Sequence, residues 1–271
     1  MGLLIFSHGN SFPASTYGVV LASLKKRGFT VKSIDKFGHD SRYPVTNNWP
    51  HLVQQLHDFA AREVAKYGEP AYLVGHSLGG IVSLMCAARH PALTQGVVLL
   101  DSPVMGGWRA ATLGAIKDTP IMGSFSPGTV SKRRKFNFDS EDAAYAHFKS
   151  KRGFANWDAQ VLRDYVHLGM LDEVLEGKAT GKRVLAFSRE VETLIYNTLP
   201  DNLERLLKRH PLKCPVAFIG GRQSEEMRRA GLGLTEQVTK GRMSYIDGGH
   251  LFPMEKPLAT AALVEGVIRG F

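Results

Sequence analysis

Between an apolar run, Ala71-Tyr72-Leu73-Val74, and an apolar continuation from Ile81 to Ala88, the chain reads Gly75-His76-Ser77-Leu78-Gly79-Gly80. The first run has the length and composition of a buried strand, and the second continues as an apolar helix. A serine with glycine two residues away on either side, set between strand and helix, dictates a very tight turn. Its neighbours must be nearly free of side chain, and the strained serine backbone then thrusts its hydroxyl above the end of a sheet. The remainder of the chain has to fold around that turn.

The flanking sequence alternates strand and helix. Leu3-Leu4-Ile5-Phe6 reads as a short buried strand that ends at Ser7-His8-Gly9-Asn10-Ser11, and a helix over 16–27 is closed by Gly28. A strand over 30–35, a polar loop over 36–50 and an amphipathic helix over 51–67 lead into the central turn. Gly96-Val97-Val98-Leu99-Leu100-Asp101 is a further buried strand, cut off by Ser102-Pro103. Alternation returns after Pro200, with strands at 216–219 and 243–246, a helix at 225–231 and a closing helix after Pro257. Strands alternating with helices predict a mostly parallel six-stranded sheet with helices on both faces.

Residues 104–200 break the alternation. They contain a Gly/Pro/Ser-rich stretch around 118–131, helical patterns at 139–151 and 157–175, and a strand at Val184-Leu185-Ala186-Phe187. This segment is expected to be an inserted helical cap over one end of a core made of 1–103 and 201–271. Its apolar residues Trp108, Met122, Phe125, Phe136, Phe138, Tyr145, Phe148, Phe154 and Trp157 are expected to form mainly the cap's own core, with some facing Ser77.

With 271 residues, 44% of them hydrophobic, the chain can bury a sizeable core. No apolar run approaches the ~20 residues of a membrane span, and the N-terminal residues do not read as a secretory signal, so a cytoplasmic location is expected. Cys86 and Cys214 lack metal or disulfide spacing and are expected to be free thiols. The net charge of +9 is spread evenly, each of 1–103, 104–200 and 201–271 carrying +3. Only Lys132-Arg133-Arg134-Lys135 forms a basic run, without interleaved aromatics, so it reads as a solvated loop and not as a nucleic-acid site.

With His8-Gly9 after the first strand, Gly75-His76-Ser77-Leu78-Gly79 mid-chain and Gly248-Gly249-His250 after the last strand, the sequence resembles the α/β-hydrolase superfamily over essentially its whole length. The family's usual first two strands are missing here, hence the expectation of six. The resemblance implies a serine hydrolase, carboxylesterase-like, acting on a small-molecule ester with a small-to-medium apolar acyl group and needing no cofactor or metal. Thioester, lactone or carbon–carbon bond cleavage by the same residues is an alternative, as is a catalytically silent scaffold that binds a small molecule. His8-Gly9-Asn10 looks like the dehalogenase form of this loop, but dehalogenases and epoxide hydrolases of the family carry aspartate where Ser77 stands.

Ser77 is then the nucleophile, which needs a base because a serine hydroxyl is otherwise unreactive. Among ten histidines, His250 has the position of the family's base, while His8 and His76 are expected to hold loops in shape. The acid is open. The family's common site, Gly-x-x-Asp after the strand at 216–219, reads Gly221-Arg222-Gln223-Ser224. Asp101, at the end of the preceding strand, is one candidate, and Glu225 or Glu226 is the other. The oxyanion hole is expected from the backbone N–H groups of Leu78 and Asn10, with the Asn10 amide as a further donor.

Overall fold

The computed structural model describes residues 1–107, 112 and 131–271. Strands β1 (Gly2–Ser7), β2 (Phe29–Ser33), β3 (Ala71–His76) and β4 (Thr94–Leu100) are joined by helices α1 (Gly18–Lys26), α2 (Pro50–Tyr67) and α3 (Leu78–Arg89). The segment that follows contributes β5 (Asn137–Phe138), α4 (Glu141–Lys149), α5 (Ala159–Leu168), β6 (Met170–Leu175), β7 (Lys178–Leu185) and α6 (Arg189–Asn197). The chain ends with α7 (Leu203–Arg209), β8 (Val216–Gly221), α8 (Glu225–Ala230), α9 (Gly233–Thr239), β9 (Met243–Ile246), α10 (Phe252–Glu255) and α11 (Pro257–Arg269).

Six strands form one sheet in the order β2-β1-β3-β4-β8-β9, and each neighbouring pair is parallel. All six strands lie where the apolar runs predict them. Successive strand residues feed opposite faces, as the two-residue period requires. Leu3, Ile5, Leu73, Leu99 and Phe218 join one buried cluster with α2, α3 and α7. Leu4, Phe6, Val74, Val98 and Ile219 join the other with α1 and α11. Burial on both faces explains why these strands read as unbroken apolar runs without alternation. Helix α3 is buried from Leu78 to Ala88, which explains its lack of a polar face.

The inserted segment combines helices with a separate antiparallel sheet, β5-β7-β6. The helical pattern at 157–175 ends at Leu168, followed by Gly169, and continues as strand β6. A two-residue turn, Glu176-Gly177, with φ of 50° and 77°, links β6 to β7, which extends over Lys178–Leu185. Both turn residues have positive φ, the geometry that matches the twist of a hairpin. Phe138, Phe148 and Trp157 are buried in this segment, whereas Phe136 is 40% exposed with the Arg189 guanidinium over its ring. Trp108, Met122 and Phe125 lie outside the described residues. Among the described residues, no helix is long and apolar enough to cross a membrane.

Strand register brings five chain segments to one edge of the main sheet. Ser7 lies beside Gly75, His76 beside Leu100, and Leu100 beside Ile219. The residues that follow β1, β3, β4, β8 and β9 therefore emerge together at the strands' carboxyl ends. The order reverses where β1 meets β3, so a crevice is expected at that edge.

Candidate active site

Ser77 sits between β3 and α3 with φ 52° and ψ −116°, a left-handed conformation that costs a non-glycine residue energy. Its glycine neighbours make the turn possible. A Cβ on Gly75 would come within 2.2 Å of the Gly79 carbonyl carbon, and one on Gly79 within 2.1 Å of the Ser7 carbonyl oxygen. Backbone meets backbone at both positions, so no side chain can be accommodated.

His250 follows β9 and faces Ser77. Its Nε2 is 3.1 Å from Ser77 Oγ, and its Nδ1 is 2.7 Å from Asp101 Oδ2. Asp101 is fully buried at the end of β4, with φ 43°. Its carboxylate accepts the Gly221 N–H at 2.8 Å and the Ser224 hydroxyl at 2.5 Å. Burial disfavours the charged His250 ring, but the Asp101 hydrogen bond and charge, with a contribution from Glu226, outweigh it and raise the histidine above its ordinary pKa.

Of the other candidate acids, Glu225 is 61% exposed at its side chain and pairs with Arg229 at 2.9 Å on its own helix. Glu226 approaches His250 Nδ1 to 4.0 Å, beyond hydrogen-bond reach. Ser224, at the position the family commonly gives to aspartate, both holds Asp101 and caps α8 by accepting the Met227 N–H at 3.1 Å. In the sequence Ser224 registers only as an absent carboxylate; a serine directly before Glu225-Glu226 at a helix start is the signal for its capping role.

Leu78 follows Ser77 at the start of α3, and Asn10 lies in the loop after β1, the strand paired with β3. Among the described residues, neither backbone N–H has a hydrogen-bond acceptor. The Asn10 amide, in contrast, is engaged. Its Nδ2 donates to the Glu192 carbonyl at 3.1 Å, and its Oδ1 accepts the Ser11 N–H at 3.1 Å.

Two groups that the sequence did not assign hold the loops. Tyr17 Oη accepts the Gly9 N–H at 2.9 Å and donates to His76 Nδ1 at 2.8 Å. His76 Nε2 donates in turn to the His250 carbonyl at 2.9 Å, so His76 does shape a loop as expected. Burial, with the charge of His250 added, pushes the His76 pKa down to about 3, and burial pushes His8 down to about 4. Both rings are therefore neutral hydrogen-bonding groups near pH 7. The second group is Glu192, on α6. It accepts the Ser11 hydroxyl at 2.5 Å and the Ser131 hydroxyl at 2.9 Å, and pairs with Arg134 at 3.3 Å. Arg134 also donates to the Tyr165 hydroxyl. The basic run is solvent-exposed at Lys132, Arg133 and Lys135, but Lys132 and Arg133 are helical where a loop is expected, and Arg134 is drawn inward.

A model of the alpha/beta hydrolase family matches residues 4–263. The chain belongs to the alpha/beta hydrolase family. It is 25% identical over 173 residues to a monoglyceride lipase homolog of Monkeypox virus, covering 59% of this chain and 62% of that protein. It is 26% identical over 114 residues to the monoglyceride lipase of Rattus norvegicus, 41% of this chain and 38% of that enzyme. The chain therefore spans less than two thirds of the length of these relatives. Among solved structures, E-2-(acetamidomethylene)succinate hydrolase superposes with a TM-score of 0.73 at 22% identity, over 99% of this chain and 92% of that one. At that identity the likeness concerns the fold.

Proposed function

We propose that this member of the alpha/beta hydrolase family is a serine hydrolase that cleaves a carboxylic ester of a small-to-medium apolar acyl group through an acyl-enzyme. The observation that carries this reading is the continuous hydrogen-bonded line from Ser77 Oγ through His250 to the buried Asp101 carboxylate. The similarity to monoglyceride lipases supports an ester as substrate.

Ser77 Oγ attacks the ester carbonyl carbon while His250 Nε2 takes its proton. Asp101 holds Nδ1–H, fixing the tautomer, and stabilises the imidazolium that forms. The carbonyl oxygen becomes an oxyanion facing the backbone N–H groups of Leu78 and Asn10, each worth on the order of 10²–10³ in rate. His250 returns the proton to the departing alkoxide. Water, deprotonated by the same ring, then attacks the acyl-enzyme and releases the acid. Residues 104–200 are assigned as a cap on the core of 1–103 and 201–271, enclosing the acyl group.

Hydrolysis of p-nitrophenyl esters from acetate to decanoate by wild type and Ser77→Ala tests the proposal. Turnover of the shorter esters that disappears in Ser77→Ala, with Ser77 labelled by a fluorophosphonate, is the expected result. A folded wild type that neither turns over esters nor accepts the label would overturn it in favour of a silent binding scaffold.

A further inference from the structure

Two carboxylates, not one, approach His250. Asp101 Oδ2 takes the Nδ1 hydrogen bond at 2.7 Å, and Glu226 Oε2 stands 4.0 Å from the same nitrogen. Glu226 reaches the ring from the first turn of α8, which Ser224 caps. Its neighbour Glu225 turns instead to Arg228 and Arg229 on its own helix. We infer that Glu226 is a second, electrostatic positioning residue of the site, stabilising the His250 imidazolium through space while Asp101 holds its proton. This inference rests on the serine-hydrolase reading above.

The other groups around His250 leave that role to Glu226. From β3, the His76 ring lies 5.0 Å away and is uncharged near neutrality. From α6, burial pushes the Tyr196 hydroxyl up to about 12, so it too is uncharged. Glu255 on α10 accepts the Gly249 N–H at 3.1 Å. Arg222, on the loop after β8, lies over the Tyr245 ring at 5.7 Å. The Glu226 side chain is 52% exposed, so its field is weakened by water and by salt. A half-exposed charge at this distance is expected to change the protonation equilibrium about threefold.

The sign is definite. Nucleophilic attack needs neutral His250, so its protonation sets the acid limb of kcat/KM. Removing a nearby negative charge makes the imidazolium easier to deprotonate and moves that limb to lower pH. The same loss makes the imidazolium less stable in the transition state, so the plateau rate falls.

The test is the pH profile of ester hydrolysis for wild type, Glu226→Gln, Glu226→Asp and Glu225→Gln, at about 0.1 M and about 1 M salt. In Glu226→Gln the limb is expected to fall by about half a pH unit, with a roughly twofold lower plateau, so that the profile crosses the wild-type curve. Both effects should shrink at about 1 M salt, where the screening length is about 3 Å. Glu226→Asp should lie between, and Glu225→Gln should keep the wild-type limb. A Glu226→Gln limb that coincides with wild type, or moves upward, would overturn the inference while leaving the Ser77 reading intact. Titration of the His250 ring by NMR in wild type and Glu226→Gln reads the same shift without turnover. Even an enzyme inactive on every ester therefore decides the contact, and that inactivity counts against the hydrolase reading alone.

Discussion

The two sides of the site hold their buried carboxylates in different ways. On the sheet side, Asp101 is surrounded by neutral donors, the Gly221 N–H and the Ser224 hydroxyl, and its charge is directed at His250. On the inserted side, Glu192 is paired with Arg134, and its charge is largely spent there while its oxygen and carbonyl anchor Ser11 and Asn10. A carboxylate without a permanent cation stays available to a histidine that becomes charged during reaction. A carboxylate already paired works as a fastener. The first arrangement suits the proposed chemistry and the second suits assembly.

That division can be broken by mutation. Asp101→Asn should lower kcat/KM for an ester substrate by about 10⁴-fold, because the amide favours the wrong tautomer and cannot stabilise the imidazolium. Its melting temperature should stay close to wild type. Equal loss of activity and of stability would erase the contrast. Glu192→Ala should behave oppositely, costing about 3–5 kcal/mol in urea unfolding because it leaves Arg134 without its buried partner. Its activity per folded molecule should fall far less than that of Asp101→Asn. The smallest change sharpens the contrast on the sheet side. Ser224→Ala removes a hydrogen bond to a charged group and should reduce kcat about tenfold, with KM little altered. An unchanged kcat would reduce Ser224 to a helix cap.

The sheet and the pairing of Ser77 with His250 are legible in the sequence because each depends on short patterns. Buried parallel strands need apolar runs, the turn at Ser77 needs Gly75 and Gly79, and His250 follows two glycines after the last strand. The choice between Asp101 and Glu225 or Glu226 was not legible, since it turns on which carboxylate comes within 3 Å of one nitrogen. Register decides this, by setting Leu100 beside Ile219. Strand β6 falls within the helical pattern at 157–175 because its residues lack strand alternation, and only Val184-Leu185 of β7 carries a strand signal. Arg134 and Glu192 lie 58 residues apart in sequence, and nothing local to either announces the pair.

His250 is carried by the loop after β9, a four-residue strand that, among the described residues, pairs on one side only, with β8. Edge elements open with less free energy than the interior of a sheet, through fluctuations smaller than global unfolding. Ser77 and Asp101 follow β3 and β4, which have neighbours on both sides. Ser77 and Asp101 thus follow interior strands, and His250 follows an edge strand that is expected to fray more readily. On warming, catalytic competence would be governed by the opening of β9, and would decline while most of the core remained folded.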